Sequence, residues 1–266
     1  MQVWTITNQK GGVGKTTTTV TLGGLLSQRS CKTLLIDMDP QGSLTTYFKH
    51  DPDTIRDGVY ALFNDQNNHT GAIIKSLIRS TEFDQLSLLP ASTAMSTLDR
   101  QLGTRDGMGL VLSRALGQIS SDYDYVLIDC PPALGVLMIN AIAAADRILI
   151  PVQTEFLALK GLERMVRTLS MVLRAHNKPL PYLIVPTMFD RRTRASIDTL
   201  ENLQENYNEY LWNSVIPVDT RFREASSKGL PLSIMSKSTH GAKAYQNLTE
   251  TLLNNQSREY AQAEIK

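Results

Sequence analysis

Residues 8–19 read NQKGGVGKTTTT. The apolar run VWTIT (3–7) precedes them and a predicted helix (15–28) follows, which is the strand-loop-helix setting a phosphate-binding loop requires. Gly11, Gly12 and Gly14, with Val13 among them, let the backbone turn its N–H groups toward phosphate oxygens, and the helix N-terminus adds its positive end. Lys15 is expected to reach the β- and γ-phosphates, and Thr16 to place its hydroxyl on Mg²⁺ with Thr17 beside it. Two departures stand out. Gln9 occupies the place of the motif's first glycine, and Lys10 is a second lysine the ordinary motif does not need. A second ammonium here is either a solvated surface charge or a group offered to another nucleotide. Its place among glycines favours the latter. A positive group supplied across an interface can be worth about 10³–10⁵ in phosphoryl-transfer rate, so Lys10 would couple nucleotide binding to dimerisation.

Outward from the loop, short apolar runs alternate with longer helical stretches. Residues 3–7, 33–37, 125–129, 147–152, 182–187 and 214–217 read as strands, nearly continuous in apolar side chains as strands covered on both faces must be. Helices are predicted over 15–28, 108–120, 133–144, 156–175, 193–209 and 238–254. The alternation implies one doubly wound α/β domain over 1–266, a mostly parallel sheet with helices on both faces. Region 50–80 is the exception, with NDQNNHT (64–70) read as a surface loop between short helices, and 255–266 as a frayed C-terminal tail. The 266 residues are 42% hydrophobic and 20% charged, with net charge +1, so nothing global announces a nucleic-acid or membrane partner. No signal peptide or membrane-spanning run is read, and Cys31 and Cys130 lack metal or disulfide spacing, which points to a reduced, cytoplasmic protein.

Two strands end in carboxylates. In LLIDMDPQG, Asp37 and Asp39 are two apart, so in extended backbone both face the same side. In YVLIDCPP, Asp129 follows four mostly apolar residues at a strand tip, the position of a magnesium-proximal acid. Ligands of open α/β sheets bind at those strand ends, which gives the acids a functional reading over that of simple turn residues.

NQKGGVGKTTTT, LLIDMDPQGS, YVLIDCPP and IPVQTEFLALKGL together resemble the ParA/MinD family of deviant Walker A P-loop ATPases, from residue 1 to about 250. The resemblance implies a slow, Mg²⁺-dependent ATPase forming an ATP-sandwich homodimer, with Lys10 crossing the interface. It further implies that Asp39 orients the attacking water and that Asp37 lies near the metal with Thr16 and Asp129. Base contacts would come from Thr187, Met188, Pro217 and Val218. Through VPTMFDRRTRAS, VQTEFLALKGLERM and IPVDTRFREAS the chain is most similar to the ParC group, ParA-like proteins that position chemotaxis arrays at the cell pole. A polar or array protein would then be a partner.

Arg191, Arg192 and Arg194 sit at the start of a predicted helix, where the macrodipole disfavours cations by about 0.3–1 kcal/mol each, and Arg221 could extend the patch. In nucleoid-binding ParA proteins an arginine matching Arg192 contributes to sequence-independent DNA binding. A solvated basic corner balanced by Asp198, Glu201 and Glu205 explains the residues equally well. A partitioning ParA is therefore the alternative function. Sequence-specific DNA binding and direct membrane attachment are not expected, because the chain shows neither an N-terminal helix-turn-helix nor a basic amphipathic tail.

Overall fold

The computed structural model describes residues 1–64, 70–98, 101, 108–174 and 180–263. Seven strands form one sheet: β1 (Gln2–Ile6), β2 (Thr33–Asp37), β3 (Arg79–Ser80), β4 (Leu86–Leu89), β5 (Tyr125–Asp129), β6 (Arg147–Gln153) and β7 (Tyr182–Thr187). Their order is β3-β4-β2-β5-β1-β6-β7, every pair parallel except the β3–β4 edge. The doubly wound fold expected from the alternation is the fold found.

The strand sequences explain the layering. Alternate residues of the inner strands face opposite sides, and both sides are apolar. Val3, Leu34, Ile36, Val126 and Ile128 face helices α3 (Val59–Asn64), α4 (Gly71–Leu77), α5 (Val111–Gly117) and α6 (Val136–Ala143). Trp4, Ile6, Leu35, Leu127 and Leu149 face α1 (Lys15–Ser27) and a later helix that contributes Tyr245, Leu248 and Leu252. The remaining helices are α2 (Ser43–Tyr47), α7 (Phe156–Arg174), α8 (Arg194–Tyr207), α9 (Arg221–Lys228), α10 (Leu232–Met235) and α11 (His240–Ala263), the last being that later helix.

The structure differs from the sequence expectations in four places. Residues 214–217 are not a strand. That segment runs beside the end of β7 through one isolated bridge, Pro217 to Phe189, and single bonds such as Ile216 N–H to the Pro186 carbonyl (2.8 Å). Pro217 has no N–H to donate, and Met188 turns the chain with a left-handed φ of 53°, so no ladder can continue. Strand β4 was not anticipated because LSLL is short, yet it is buried between β2 and the antiparallel edge. Region 50–80 contains α3 and α4 as expected but also β3, and most of the 64–70 loop lies outside the described residues. At the C-terminal end the helix continues well past 254, to Ala263.

Helix α1 is the buried spine of one layer despite its threonines and glycines. Thr18, Thr19 and Thr21 bond back to the carbonyls of Gly14, Lys15 and Thr17. A Cβ on Gly23 would stand 2.7 Å from Leu35 of β2, and one on Gly24 2.6 Å from Pro231. These glycines permit close approach to the sheet and to α10, outweighing a propensity cost of about 1 kcal/mol each. Gly24→Val is expected to lose about 1–3 kcal/mol by overpacking. Gly117→Ala, in α5 with open space around the new methyl, is expected to gain about 0.4–1 kcal/mol. Urea denaturation of the two variants tests that contrast.

Candidate functional site

The tips of β1, β2, β5 and β7 converge at one end of the sheet. The loop after β1 enters α1 through Gly14, left-handed at φ 94°, and no side chain caps the helix. Its first-turn N–H groups are therefore left for a ligand. Gly12 is also left-handed (φ 75°), and a Cβ on Gly11, Gly12 or Gly14 would meet nothing within 4 Å, so the loop forms an open cradle.

Around the cradle lies a cavity of about 410 Å³ lined by the loop glycines, Lys15, Thr16, Thr17, Asp39 and Gln41. It shares Gly14, Thr17, Met188 and Ser226 with a larger one of about 630 Å³. The second cavity brings together Thr187, Met188, Pro217 and Val218, the residues expected at the base, and is mainly apolar. Thr187 also has a local task, its hydroxyl donating to the Val13 carbonyl (2.9 Å) and so tying β7 to the loop. The sequence reading missed the rest of this wall. Asp219 lies just before α9, Phe222 and Arg223 in its first turn, and Tyr245 in α11. Tyr245 also shares a 2.7 Å hydrogen bond with Thr18. No local pattern marks a tyrosine 227 positions from its partner; only the fold brings them together.

The two lysines part company. Lys15 is buried, and its ammonium donates to the Lys10 carbonyl (3.2 Å). Burial pulls it below the usual lysine range, against the opposing pull of Asp129, Cys130 and Asp39. The Lys10 ammonium leaves the cradle and pairs with Glu155, just before α7. Gln9 explains its own presence: its amide donates to Thr168 of α7 (2.8 Å), so the loop packs on that helix by a side chain where a glycine would offer none.

The three aspartates differ. Asp129 accepts from the Thr16 hydroxyl (2.6 Å) through Oδ2, while its buried Oδ1 has no hydrogen-bond partner. Burial raises its pKa well above the carboxylate range, Asp37 adding to the effect. Asp37 is fully buried and raised to about 7 by that burial, against three hydrogen bonds from Thr45 and Asp39 that favour its charged form. Asp39 lies at the cavity wall, also raised by burial, with the Gln41 N–H and Lys15 opposing. One ammonium cannot neutralise three crowded carboxylates, so the site favours taking up protons or a cation. Thr16, the orphaned Asp129 oxygen and an open phosphate cradle fit Mg²⁺, which takes one or two carboxylates plus substrate phosphates rather than an all-protein cage. Cys130 is buried and its thiol is pushed up by burial, so it behaves as a small apolar side chain.

Three of the four arginines of the expected patch are locally paired. Arg192 forks onto Asp190 (2.7 and 2.9 Å), Arg194 pairs with Asp198 (2.7 Å) and Arg221 with Glu224 (3.1 Å). Arg191 and Arg192 precede the N-cap Thr193, whose hydroxyl accepts from the Ser196 N–H, so only Arg194 lies within the first turn of α8.

A family model described as an AAA domain matches residues 1–182. The chain is 36% identical to the sporulation initiation inhibitor protein Soj of Bacillus subtilis, over 94% of this chain and 97% of that protein. It is likewise 36% identical to the chromosome partitioning protein ParA of Myxococcus xanthus, over 93% of this chain and 86% of that one. Among solved structures it is similar to a cobyrinic acid a,c-diamide synthase from Mycobacterium smegmatis with a bound ATP analogue and magnesium (33% identity, TM-score 0.82, covering 95% and 94% of the two chains). It is also similar to a Cyanothece McdA–ATP complex (26% identity, TM-score 0.84, covering 95% and 96%). Loop, acids, sheet order and relatives agree: the chain belongs to the ParA/Soj family of P-loop ATPases.

Proposed function

We propose that this chain is an ATP-gated switch that pairs with a second copy of itself when loaded and positions an intracellular cargo, with slow hydrolysis resetting it. The observation that carries the proposal is the separation of the two lysines. Lys15 serves the cradle of its own chain, whereas Lys10 starts from the same loop and turns its ammonium outward to Glu155. The pair is partly exposed, with side-chain exposures of 27% and 40%. Exposed ion pairs contribute about 0–1 kcal/mol, so Lys10 exchanges that carboxylate for a neighbour's phosphate at small cost.

Within each copy, the α1 N–H groups and Lys15 hold the β- and γ-phosphates. Thr16 and Asp129 hold Mg²⁺, which neutralises phosphate charge when bound. Asp39, at the cavity wall beside Lys15, orients the attacking water. ATP shifts the dimer equilibrium only by its preference for that state, and a lysine contributed across the interface supplies such a preference.

Two cargoes follow from different observations. The similarity of VPTMFDRRTRAS and IPVDTRFREAS to the ParC group supports chemotaxis arrays, with a cytoplasmic protein concentrated at the cell pole. The ParA of Myxococcus xanthus, named for chromosome partitioning, supports DNA segregation at least as well. Under that reading Arg191, Arg192, Arg194 and Arg221 contact phosphates without reading sequence, the last three exchanging their carboxylates for DNA. Among the described residues no helix is long and apolar enough to cross a membrane.

Lys15→Ala is expected to abolish ATP binding in titration calorimetry. Lys10→Ala is expected to bind ATP with near-normal affinity yet remain a monomer in sedimentation with a non-hydrolysable analogue; normal pairing by that variant would overturn the switch. Arg192→Glu separates the cargoes. Loss of ATP-dependent DNA retention, steeply salt-sensitive in the parent, supports segregation. No retention by the parent even at low salt supports a protein cargo, which imaging a tagged copy beside chemoreceptor arrays then checks.

A further inference from the structure

The geometry points to Asp37 as a positioning residue that fixes Asp39 and helix α2 through Thr45, and not as a magnesium ligand. This rests on the reading above that Asp39 orients the attacking water. Asp37 closes β2 and is 0% exposed. Its Oδ1 accepts the Asp39 N–H (3.1 Å), and its Oδ2 accepts both the Thr45 N–H and the Thr45 hydroxyl (2.7 Å each). Both lone pairs of Oδ2 are thus engaged. Asp129 is the opposite case, with one oxygen bonded to Thr16 and the other buried without any partner. A metal competing for Oδ2 of Asp37 would leave the buried Thr45 N–H and hydroxyl without their acceptor, which is costly. At Asp129 it would satisfy an atom that has none.

Thr45 extends the arrangement. Its hydroxyl donates to Asp37 and accepts from the Ala91 N–H (2.8 Å), so one side chain joins the tip of β2, helix α2 and the chain just beyond β4. Between Asp37 and Thr45 the backbone makes a tight turn. The Asp39 carboxylate accepts the Gln41 N–H (3.0 Å), the Asp39 carbonyl accepts the Gly42 N–H (2.8 Å), and Gly42 is left-handed against Pro52. Asp39 is the one member of this turn whose carboxylate reaches the cavity wall, and both ends of the turn are anchored on Asp37. The two aspartates of the D-x-D therefore divide the work: the second faces the reaction, the first holds it in place.

The test is ATP turnover of the full chain as a function of Mg²⁺, with amide hydrogen exchange of the nucleotide-free protein as a second readout. Thr45→Val keeps shape but removes the hydroxyl; Thr45→Ser keeps it. Asp37→Asn and Thr45→Val are each expected to lower kcat about 10²-fold, the scale of a misplaced reacting group. KM for ATP and the half-saturating Mg²⁺ concentration stay at parent values, and Thr45→Ser restores turnover. In nucleotide-free Thr45→Val, amides 38–47 exchange faster than in the parent while those of β5 do not. A merely structural role would lower stability and nucleotide affinity together and would not give that split. The inference is overturned if Asp37→Asn raises the half-saturating Mg²⁺ about tenfold or more while Thr45→Val turns over like the parent. Should Asp37→Asn fail to fold, the Thr45 pair decides alone, parent-like turnover by Thr45→Val being the refuting result. Asp39→Ala tells the two claims apart: parent-like turnover there removes the role of Asp39 itself, whereas a stalled Asp39→Ala beside an active Thr45→Val removes only the role of Asp37.

Discussion

Everything at this end of the molecule depends on helix α1 beginning without a cap. A buried helix normally satisfies its first N–H groups with a side chain, and α8 does so with Thr193. Helix α1 has a left-handed glycine there and no side-chain acceptor. Its orphan donors, backed by the helix dipole, create a demand for negative charge that an anion can meet from outside the fold. The demand is directional because α1 is pinned on both flanks, by Gly23 against β2 and by Gly24 against Pro231.

The opposite demand sits a few residues away. Asp37, Asp39 and Asp129 are each pushed toward protonation by burial; hydrogen bonds from Thr45, Gln41 and Thr16 oppose this, and Lys15 is the one cation that acts, on Asp39 and Asp129. An uncapped helix asking for anions beside acids asking for cations is an unstable arrangement in an empty protein and a complementary one around a metal-bound polyphosphate. Local conflict of this kind concentrates where a fold is built for a ligand rather than for its own stability.

Much of this was legible because the informative residues are local. NQKGGVGKTTTT carries its turn, its cradle and its helix start in twelve consecutive positions, and Asp37 and Asp129 end apolar runs long enough to identify strands. What stayed hidden depends on tertiary neighbours. Strand β4 is four residues whose status comes from lying beside β2. The run 214–217 looks like a strand by composition but meets only the end of β7, where Pro186, Pro217 and left-handed Met188 leave no ladder to join. Thr45 and Tyr245 carry no motif and Glu155 is one unmarked position of the run IPVQTEFLALKGL, since each matters only through a residue distant in sequence. The arginines at 191–194 drew attention as cations at a helix start, yet the cap at Thr193 leaves two of them outside the helix and Asp190 and Asp198 neutralise two of the three.

The Thr18–Tyr245 contact has a consequence for how the protein is made. A wall of the cavity beside the glycine loop is supplied by a side chain translated 227 positions after its partner on α1. A nascent chain thus exposes its anion-seeking loop long before the pocket that would select among nucleotides can close. That cavity closes only when α11 docks against α1.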